Sequence, residues 1–419
     1  MGLFLSPMVY KVIGLMSGSS LDGLDIAYVH LSPAPNQKSP PARGGWEFQF
    51  VHTDCYAYPA GWRERLAGAV KLPARDYLLL HAEYGHWLGE QVLRFVAAHG
   101  LEYQVQLIAS HGHTVFHEPA QRMTAQLGDG AAIAAVTGIN VVSELRAMDV
   151  ALGGQGAPIV PVGEGLLLGE YVLLLNLGGI ANVSAQSTGA GPAAQGGSAG
   201  RVAFDVAPAN RVLNELAGDA GLPFDNGGLL AASGKVDEVL LEKLNALPYY
   251  GQTYPKSLGN EFGLETVLPL VRGAGLRVAD GLRTYVEHLA AQIGRAVEGL
   301  GFSGGKGPAG ESGGKGADPA GESGGDGAAG HEGAGPAVKI LVTGGGAHNG
   351  FLVERLRARL AELGVDVVVP EKALVDYKEA LVMALIGVLR WREENNVLAS
   401  VTGASRDSIG GAVWIGQQA

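Results

Sequence analysis

Three glycine-rich segments of this chain have the composition of turns that bind phosphate. The first, residues 14–25, and the second, residues 176–182, each lie between two strand-like runs. The third, residues 343–349, lies between a buried-type strand and a helix. Backbone N–H groups in such turns can point at phosphate oxygens with no side chain in the way. We refer to these segments as the first, second and third glycine turns.

Taken alone, the first glycine turn is more often only a turn, and the third is equally consistent with a tight strand-to-helix turn that binds nothing. The chain has no G-x-x-x-x-G-K string, and the first turn joins a strand to a strand, so neither a P-loop nor a dinucleotide fingerprint is present. Two strand–turn–strand loops could clamp the β- and γ-phosphates, and the third turn could approach the adenosine or the α-phosphate. The predicted nucleotide-binding residues are Gly18, Ser19, Ser20, Leu21, Asp22, Gly23, Asp25, Asn176, Gly178, Gly179, Asn182, Gly344, Gly345, Gly346 and Asn349.

Two aspartates belong to the first glycine turn. Asp22 and Asp25 stand where a carboxylate can approach a phosphate-bound Mg²⁺ ion through a water molecule. A carboxylate at either position could instead brace the turn. The sequence predicts both aspartates as candidate outer-sphere partners of magnesium.

Composition narrows the class of protein. The chain has 419 residues, 47% of them hydrophobic, which is enough for two domains with a core each. Its 41 acidic and 30 basic residues leave no basic surface for a nucleic-acid backbone, and Cys55 is its only cysteine. Lys11 interrupts the apolar start, and no apolar run of about 18 residues follows. We expect a cytoplasmic protein that binds neither nucleic acid nor membrane.

The order of predicted elements repeats along the chain. In each half a set of strand-like runs precedes helices, and in the first half the apolar residues of the predicted helix recur every three or four positions. This order predicts an α/β protein with two actin-like (ribonuclease H-like) domains, 1–155 and 156–419, whose mixed sheets flank a cleft. An alternative for the C-terminal end of the chain is that it packs back on the first domain. The main predicted strands are 11–15, 24–31, 46–58, 105–110, 172–175, 180–184, 202–204, 338–342 and 365–369, and the main predicted helices are 74–99, 351–363 and 379–391.

Three segments interrupt this order. Residues 303–336 consist almost entirely of small and charged residues, which predicts a disordered surface loop. Residues 187–200 have a similar composition and are predicted as an extended hairpin loop. The glycine-rich residues 152–158 are predicted as the crossing between the domains.

Six unusual strings occur in one order along nearly the whole chain. They are residues 17–25, 110–114, 153–158, 176–182, 255–259 and 343–349. In these strings the chain resembles the anhydro-N-acetylmuramic acid kinase family of actin-like enzymes. The resemblance implies ATP and Mg²⁺ as cofactors, a homodimer, and a part in the recycling of cell-wall sugars.

The resemblance also implies a catalytic base. In that family an aspartate precedes a Thr-Gly-Pro-Gly-Asn string, whereas here Asp205 precedes Val-Ala-Pro-Ala-Asn, so the proline and the asparagine are kept. Asp205 is therefore predicted to be the general base. The alternative is that Asp205 caps a helix that starts near Pro208.

Four further residues are predicted to contact the sugar. Arg146 and Glu379 match family positions in the substrate pocket, and an arginine there can anchor a lactyl carboxylate. A hydrogen-bonding role is predicted for one of His111 and His113. The alternatives are a surface salt bridge for Arg146, a helix-dipole interaction for Glu379 at the start of its helix, and simple packing for the histidines.

The expected reaction opens the 1,6-anhydro bond of the sugar and phosphorylates O6. An alternative substrate is levoglucosan or another anhydrosugar without a lactyl group, because Glu144, His113 and Leu258 depart from the family pattern around the pocket. A second alternative is a nucleotide-binding regulator that has lost turnover.

Overall fold

The structure, a computed structural model, describes most of the chain. The predicted loops 303–336 and 187–200 lie outside the described residues, and so do Ser19, Ser20 and Asp22. The described residues are 8–18, 21, 23–34, 45–186, 201–259, 261–302 and 338–417.

The strands are close to those that the sequence predicts, because runs of β-branched and aliphatic residues between turn signals favour extended backbone. The strands are β1 Tyr10–Ser17, β2 Leu24–Pro33, β3 Trp46–Tyr56, β4 Leu107–Ser110, β5 His113–Glu118, β6 Met123–Leu127, β7 Asn140–Ser143, β8 Leu173–Leu177, β9 Ile180–Gln186, β10 Arg201–Pro208, β11 Val338–Thr343, β12 Val365–Val368 and β13 Ala412–Trp414.

The helices range from one turn to seven turns. The predicted helix 74–99 is confirmed as α2, which buries Leu80, Tyr84, Leu88 and Val92 on one face. The helices are α1 Trp62–Gly68, α2 Ala74–His99, α3 Gly130–Thr137, α4 Ala147–Ala151, α5 Val160–Leu167, α6 Asn210–Gly218, α7 Leu229–Ala232, α8 Glu238–Asn245, α9 Leu268–Gly273, α10 Val278–Gly299, α11 Gly350–Ala361, α12 Lys372–Trp391 and α13 Ala399–Thr402.

The chain divides into two compact units. The first comprises Met1–Tyr171, Ala193–Ala203 and Pro370–Ala419, and the second comprises Val172–Pro192 and Phe204–Val369. The first unit thus continues past residue 155, where the sequence predicts a boundary, and it includes the last fifty residues of the chain.

The first unit contains a six-stranded mixed sheet in the order β13-β7-β4-β1-β2-β3. Strands β1, β2 and β3 form the predicted antiparallel meander, while β4 and β7 run parallel to β1 and to each other. Helix α12 packs so closely on β1 that a Cβ added at Gly14 would overlap the carbonyl of Ala380. The sheet therefore requires glycine at this position, just before the first glycine turn.

The second unit repeats this arrangement. Its five-stranded sheet has the order β10-β9-β8-β11-β12, with β9 antiparallel to β8, and with β11 and β12 parallel to β8 and to each other. Three sequential strands on one side of the sheet, followed by parallel strands that helical segments connect, thus occur in both units. The predicted class, two α/β units of the actin-like kind, is confirmed by this shared strand order.

The predicted helix 379–391 forms the second part of α12. Helix α12 begins at Lys372, but a kink at Tyr377 (φ −116°, ψ 18°) divides it into two helical segments, the second of which begins beside Glu379. The apolar pattern used for the prediction becomes continuous only after Glu379, whereas residues 372–378 are partly polar. Glu379 therefore lies in the first turn of the helical segment that follows the kink, and the helix-dipole alternative for this residue stays open.

No helix within the described ranges is long and apolar enough to cross a membrane.

Candidate active site

The second and third glycine turns meet in the second unit. They follow the neighbouring parallel strands β8 and β11, in which Asn176 is paired with Thr343. Gly344 adopts φ +82°, and a Cβ placed there would lie 2.7 Å from the Asn176 side-chain oxygen. Only glycine fits this left-handed, crowded position without strain. The glycines of the third turn therefore pack closely against the second turn at the ends of these strands.

The remaining predicted residues of these turns have structural contacts as well. Asn182, on β9, is paired with Asn176 across the second turn. The side-chain oxygen of Asn349 accepts a hydrogen bond from the Leu352 N–H (2.9 Å) and caps α11. Gly345 lies beside the second turn as well, since a Cβ there would be 3.5 Å from Asn210 Nδ2. Nucleotide binding by these residues stays a prediction.

Strand β10 leads from Asp205 to the second glycine turn. The N–H groups of Ala209 and Asn210 donate to the carbonyls of Gly179 (2.8 Å) and Gly178 (3.0 Å). Asn210 Nδ2 donates to the Leu177 carbonyl (2.9 Å). The retained asparagine of the motif thus ties the strand that carries Asp205 to the predicted phosphate turn.

Asp205 lies within β10 and does not cap a helix. Helix α6 begins at Asn210 after Ala209, which makes no side-chain cap, so the capping alternative for Asp205 is wrong. Asp205 Oδ2 instead accepts a hydrogen bond from the Leu258 N–H (2.9 Å). Oδ1 has no hydrogen-bond donor among the described residues.

Burial raises the pKa of Asp205 above its ordinary value, and the hydrogen bond from Leu258 opposes part of this shift. A carboxylate with a raised pKa and one unengaged oxygen is a better proton acceptor than an exposed aspartate. Nearby, the Lys256 ammonium lies 4.7 Å from the centre of the Tyr249 ring, and the Tyr249 hydroxyl donates to the Asp205 carbonyl (2.7 Å). The loop that carries Lys256 and Leu258 therefore positions Asp205 through backbone contacts.

The first glycine turn lies in the first unit. The Ser17 hydroxyl is hydrogen-bonded to the hydroxyls of Tyr58 (2.6 Å) and Tyr84 (3.0 Å). Leu21, at φ +57°, donates its N–H to the Gly18 carbonyl (3.2 Å). Gly23, at the end of the turn, packs closely against Tyr56, since a Cβ added at Gly23 would lie 2.7 Å from the Tyr56 carbonyl oxygen.

The predicted magnesium partners stay predictions. Asp25 lies on β2, opposite Met16 and Cys55, and its charge raises the pKa of Tyr58 in addition to the larger effect of burial. Asp22, its predicted companion, lies outside the described residues. Among the residues that the structure describes, no group of three or more His, Cys, Asp or Glu side chains could hold a metal ion.

Three of the predicted sugar-binding residues come together in the first unit. Arg146 Nε donates to His111 Nε2 (2.7 Å), and Arg146 Nη1 donates to the Gly156 carbonyl (2.6 Å). Burial lowers the pKa of Arg146 to about 10, and the nearby charge of Glu379 opposes this shift. Both hydrogen-bond acceptors are uncharged. The alternative of a surface salt bridge for Arg146 is therefore wrong.

The hydrogen bonds of His111 fix its tautomer. Nε2 must be unprotonated because it accepts from Arg146, so Nδ1 carries the proton and donates to the Gly112 carbonyl (2.9 Å). Burial, together with the charge of Arg146, lowers the pKa of His111 to about 3. Burial also lowers the pKa of His113, whose buried Nδ1 has no partner among the described residues. Both histidines are therefore neutral at physiological pH.

Two supports of this pocket were missed by the sequence analysis. Asp149, which is fully buried, accepts from the Gly156 N–H (2.7 Å) and from the Thr402 hydroxyl (2.7 Å). Lys378, next to Glu379 on α12, forms a buried ion pair with Glu164 on α5 (2.8 Å). Asp149 and Lys378 are charged residues within apolar segments, and this pattern could have marked them as buried and paired. Their partners Thr402 and Glu164 could not be predicted, because they are far away in the sequence.

Two mixed-sheet units of one strand order, with glycine turns at the ends of their strands, are the arrangement predicted for the actin-like class of protein. A family profile described as anhydro-N-acetylmuramic acid kinase matches residues 10–304 and 328–416. The chain belongs to the anhydro-N-acetylmuramic acid kinase family. It is therefore a kinase whose phosphate acceptor is an alcohol group.

Curated relatives agree with this assignment. The anhydro-N-acetylmuramic acid kinase of Gloeobacter violaceus is 34% identical over 94% of this chain and 96% of its own length. The enzyme of the same name from Xanthomonas campestris is 33% identical over 96% of both chains. Among solved structures, an activator of 2-hydroxyisocaproyl-CoA dehydratase from Clostridium difficile covers 92% of this chain, but at 12% identity and a TM-score of 0.39 the likeness is weak.

Proposed function

We propose that this chain uses ATP to convert 1,6-anhydro-N-acetylmuramic acid into N-acetylmuramic acid 6-phosphate and ADP, with hydrolysis of the anhydro bond in the same reaction. Family membership supports the kinase activity and the amino-sugar substrate, and thereby a part in peptidoglycan recycling. The observation that carries the proposal is Asp205, which has a raised pKa, one oxygen fixed by Leu258 and the other oxygen unengaged.

In the proposed reaction Asp205 Oδ1 takes a proton from a water molecule, and the water oxygen attacks the anomeric carbon. The bond between that carbon and O6 breaks, and the electron pair of O6 attacks the γ-phosphorus. The bond from the γ-phosphorus to the ADP oxygen then breaks, and ADP leaves with that electron pair. The proton on Asp205 passes to solvent. One water is consumed, and the products are the sugar 6-phosphate, ADP and a proton.

The nucleotide would be held by the backbone of the glycine turns. A side chain at position 344 would collide with Asn176, so this position has none and its backbone is not covered by one. Backbone of this kind can approach a polyphosphate closely. A magnesium ion would neutralise charge on the phosphates, and Asp25 is the described residue that we assign to it through water. Ser19, Ser20 and Asp22 lie outside the described residues, and we assign them to the nucleotide and its magnesium ion from the sequence alone.

The sugar would be recognised by His111, His113, Arg146 and Glu379. Arg146 already donates to two uncharged acceptors and has further N–H groups for a carboxylate such as the lactyl group. The neutral His111 holds the guanidinium in place. The homodimer and the cytoplasmic location stay predictions.

An Asp205→Asn variant tests the proposal. Asparagine keeps the size of the side chain and can still accept the Leu258 hydrogen bond, but it cannot act as a base. Turnover of Mg-ATP and the anhydro sugar should fall by roughly 10²–10⁴-fold, as is typical when a general base is lost. Sugar phosphate and ADP are measured together, and ATP affinity and melting temperature should stay close to the wild-type values.

The matched control is Asp366→Asn, which removes the same charge from an exposed position on β12 of the same unit. It should leave turnover unchanged. An Asp205→Asn enzyme that forms the sugar 6-phosphate at near wild-type rate would remove Asp205 as the base, and Glu379 would be tested next.

A further inference from the structure

Arg211, a residue with no role in the reaction described above, lies against the second glycine turn. Its backbone N–H donates to the Gly179 carbonyl (3.3 Å). Its guanidinium is close to the same residue, since a Cβ added at Gly179 would lie 3.7 Å from Arg211 Nε and 4.0 Å from Nη2. Because position 179 has no side chain, the guanidinium lies directly beside the backbone of the turn.

The Arg211 guanidinium has no partner that explains its position. Within the described ranges it forms no ion pair, and its Nε is buried without a hydrogen-bond acceptor. The acidic residues on α6 and directly after it have another partner, since Glu215 and Asp219 pair with Arg272 at 3.6 and 2.7 Å. A buried donor without an acceptor destabilises a protein unless a ligand or a water supplies the acceptor.

The location of Arg211 in its helix is also unfavourable for a cation. Arg211 is the second residue of α6, where the helix dipole disfavours positive charge, and the first turn of α6 contains no acidic residue. The backbone N–H groups of Ala209, Asn210 and Arg211 all donate to carbonyls of the second turn. The guanidinium is therefore the donor at this helix end that is left for a ligand.

We propose that Arg211 is a phosphate-binding residue, whose guanidinium donates to a phosphate oxygen of the nucleotide at the second glycine turn. The planar fork of arginine matches two phosphate oxygens at once, and its charge would offset the charge of the polyphosphate. This inference rests on the proposed function, because it takes the second turn to be a nucleotide site. It adds a fixed cation to a site that otherwise consists of backbone N–H groups.

The test measures nucleotide affinity in the full chain by calorimetry, with Mg-ATP and no sugar, so that no turnover occurs. Arg211→Met keeps most of the packing volume but removes the charge and the donors. Its affinity for ATP should fall by about tenfold to a hundredfold, the loss expected for a charged hydrogen bond. Affinity for adenosine, which has no phosphate, should not change. A purely structural arginine would not produce this difference between the two ligands.

Arg272→Met is the matched control, because Arg272 also contacts α6 but pairs with Glu215 and Asp219 away from the turn. It should bind ATP like the wild type. If Arg211→Met is misfolded, Arg211→Gln and Arg211→Lys take its place, and the lysine variant should have intermediate affinity. Wild-type affinity in any folded Arg211 variant, or equal losses for ATP and adenosine, would overturn the assignment. Failure of the wild-type chain to bind ATP would instead overturn the proposed function.

Discussion

Among single residues, Arg146 offers the most direct test of substrate choice. If its guanidinium binds the lactyl carboxylate, Arg146→Ala should weaken binding of the anhydromuramic sugar far more than binding of levoglucosan, which has no carboxylate. Charged hydrogen bonds of this kind contribute roughly 1.5–3 kcal/mol. Binding constants for both sugars, measured with the same preparation, give the difference directly.

The comparison of two sugars is needed because Arg146 also supports the pocket. Its hydrogen bonds to His111 and to the Gly156 carbonyl would be lost for either ligand. Arg146→Lys serves as the control, since it keeps the charge but not the forked geometry, and its effect should be smaller. Equal losses for the two sugars in Arg146→Ala would exclude the carboxylate role and favour the levoglucosan-type alternative.

Among the elements, α4 supports the loop beside Arg146 through Asp149. One carboxylate oxygen accepts from the Gly156 N–H and the other from the Thr402 hydroxyl at the end of α13. Asp149→Ala would leave these donors without an acceptor and should lower the free energy of unfolding by about 1–3 kcal/mol. It should also raise KM for the sugar, because the Gly156 carbonyl would no longer be fixed beside Arg146.

Chemical denaturation and steady-state kinetics on the same variant check both effects. Thr402→Ser keeps a hydroxyl for Asp149 and should behave almost like the wild type. A destabilised Asp149→Ala enzyme with unchanged KM would show that Asp149 supports the fold but not the position of Arg146.

At the scale of the whole molecule, residues 305–327 have no counterpart in the family profile, which matches the chain on both sides of them. They consist of Gly, Ala, Ser, Pro, Lys, Glu and Asp, which can bury almost no apolar surface. We expect their deletion to leave kcat and KM unchanged. The melting temperature should change little, because the free energy of closing a loop depends only weakly on its length, by about 0.6 kcal/mol for each twofold change.

A chain in which the same segment is replaced by glycine and serine is the control for loop length. The prediction fails if the deleted protein loses most of its turnover while the glycine–serine replacement stays active, because loop length would then matter. Loss in both variants would show that the natural residues of the segment have a function.

The glycine turns, most strands, helix α2 and the family could be predicted from the sequence, because each depends on residues that are close together in the chain. A glycine-rich turn between two strands depends on neighbouring residues, and the apolar pattern of α2 repeats within its own length. The short segment of α12 before the kink at Tyr377 was not predicted, because its residues are partly polar. Composition alone could not separate the capping role of Asp205 from the catalytic one.

The tertiary structure decided the contacts between distant residues. Asp205 meets Leu258, which is 53 positions away, and Asp149 meets Thr402, which is 253 positions away. Burial, which lowers the pKa of Arg146 and His111, also depends on elements that only the folded chain brings together. The sequence by itself therefore determined which residues could carry chemistry, since side-chain type and turn geometry are local properties. Their partners, charge states and orientation were decided by the packing of distant segments.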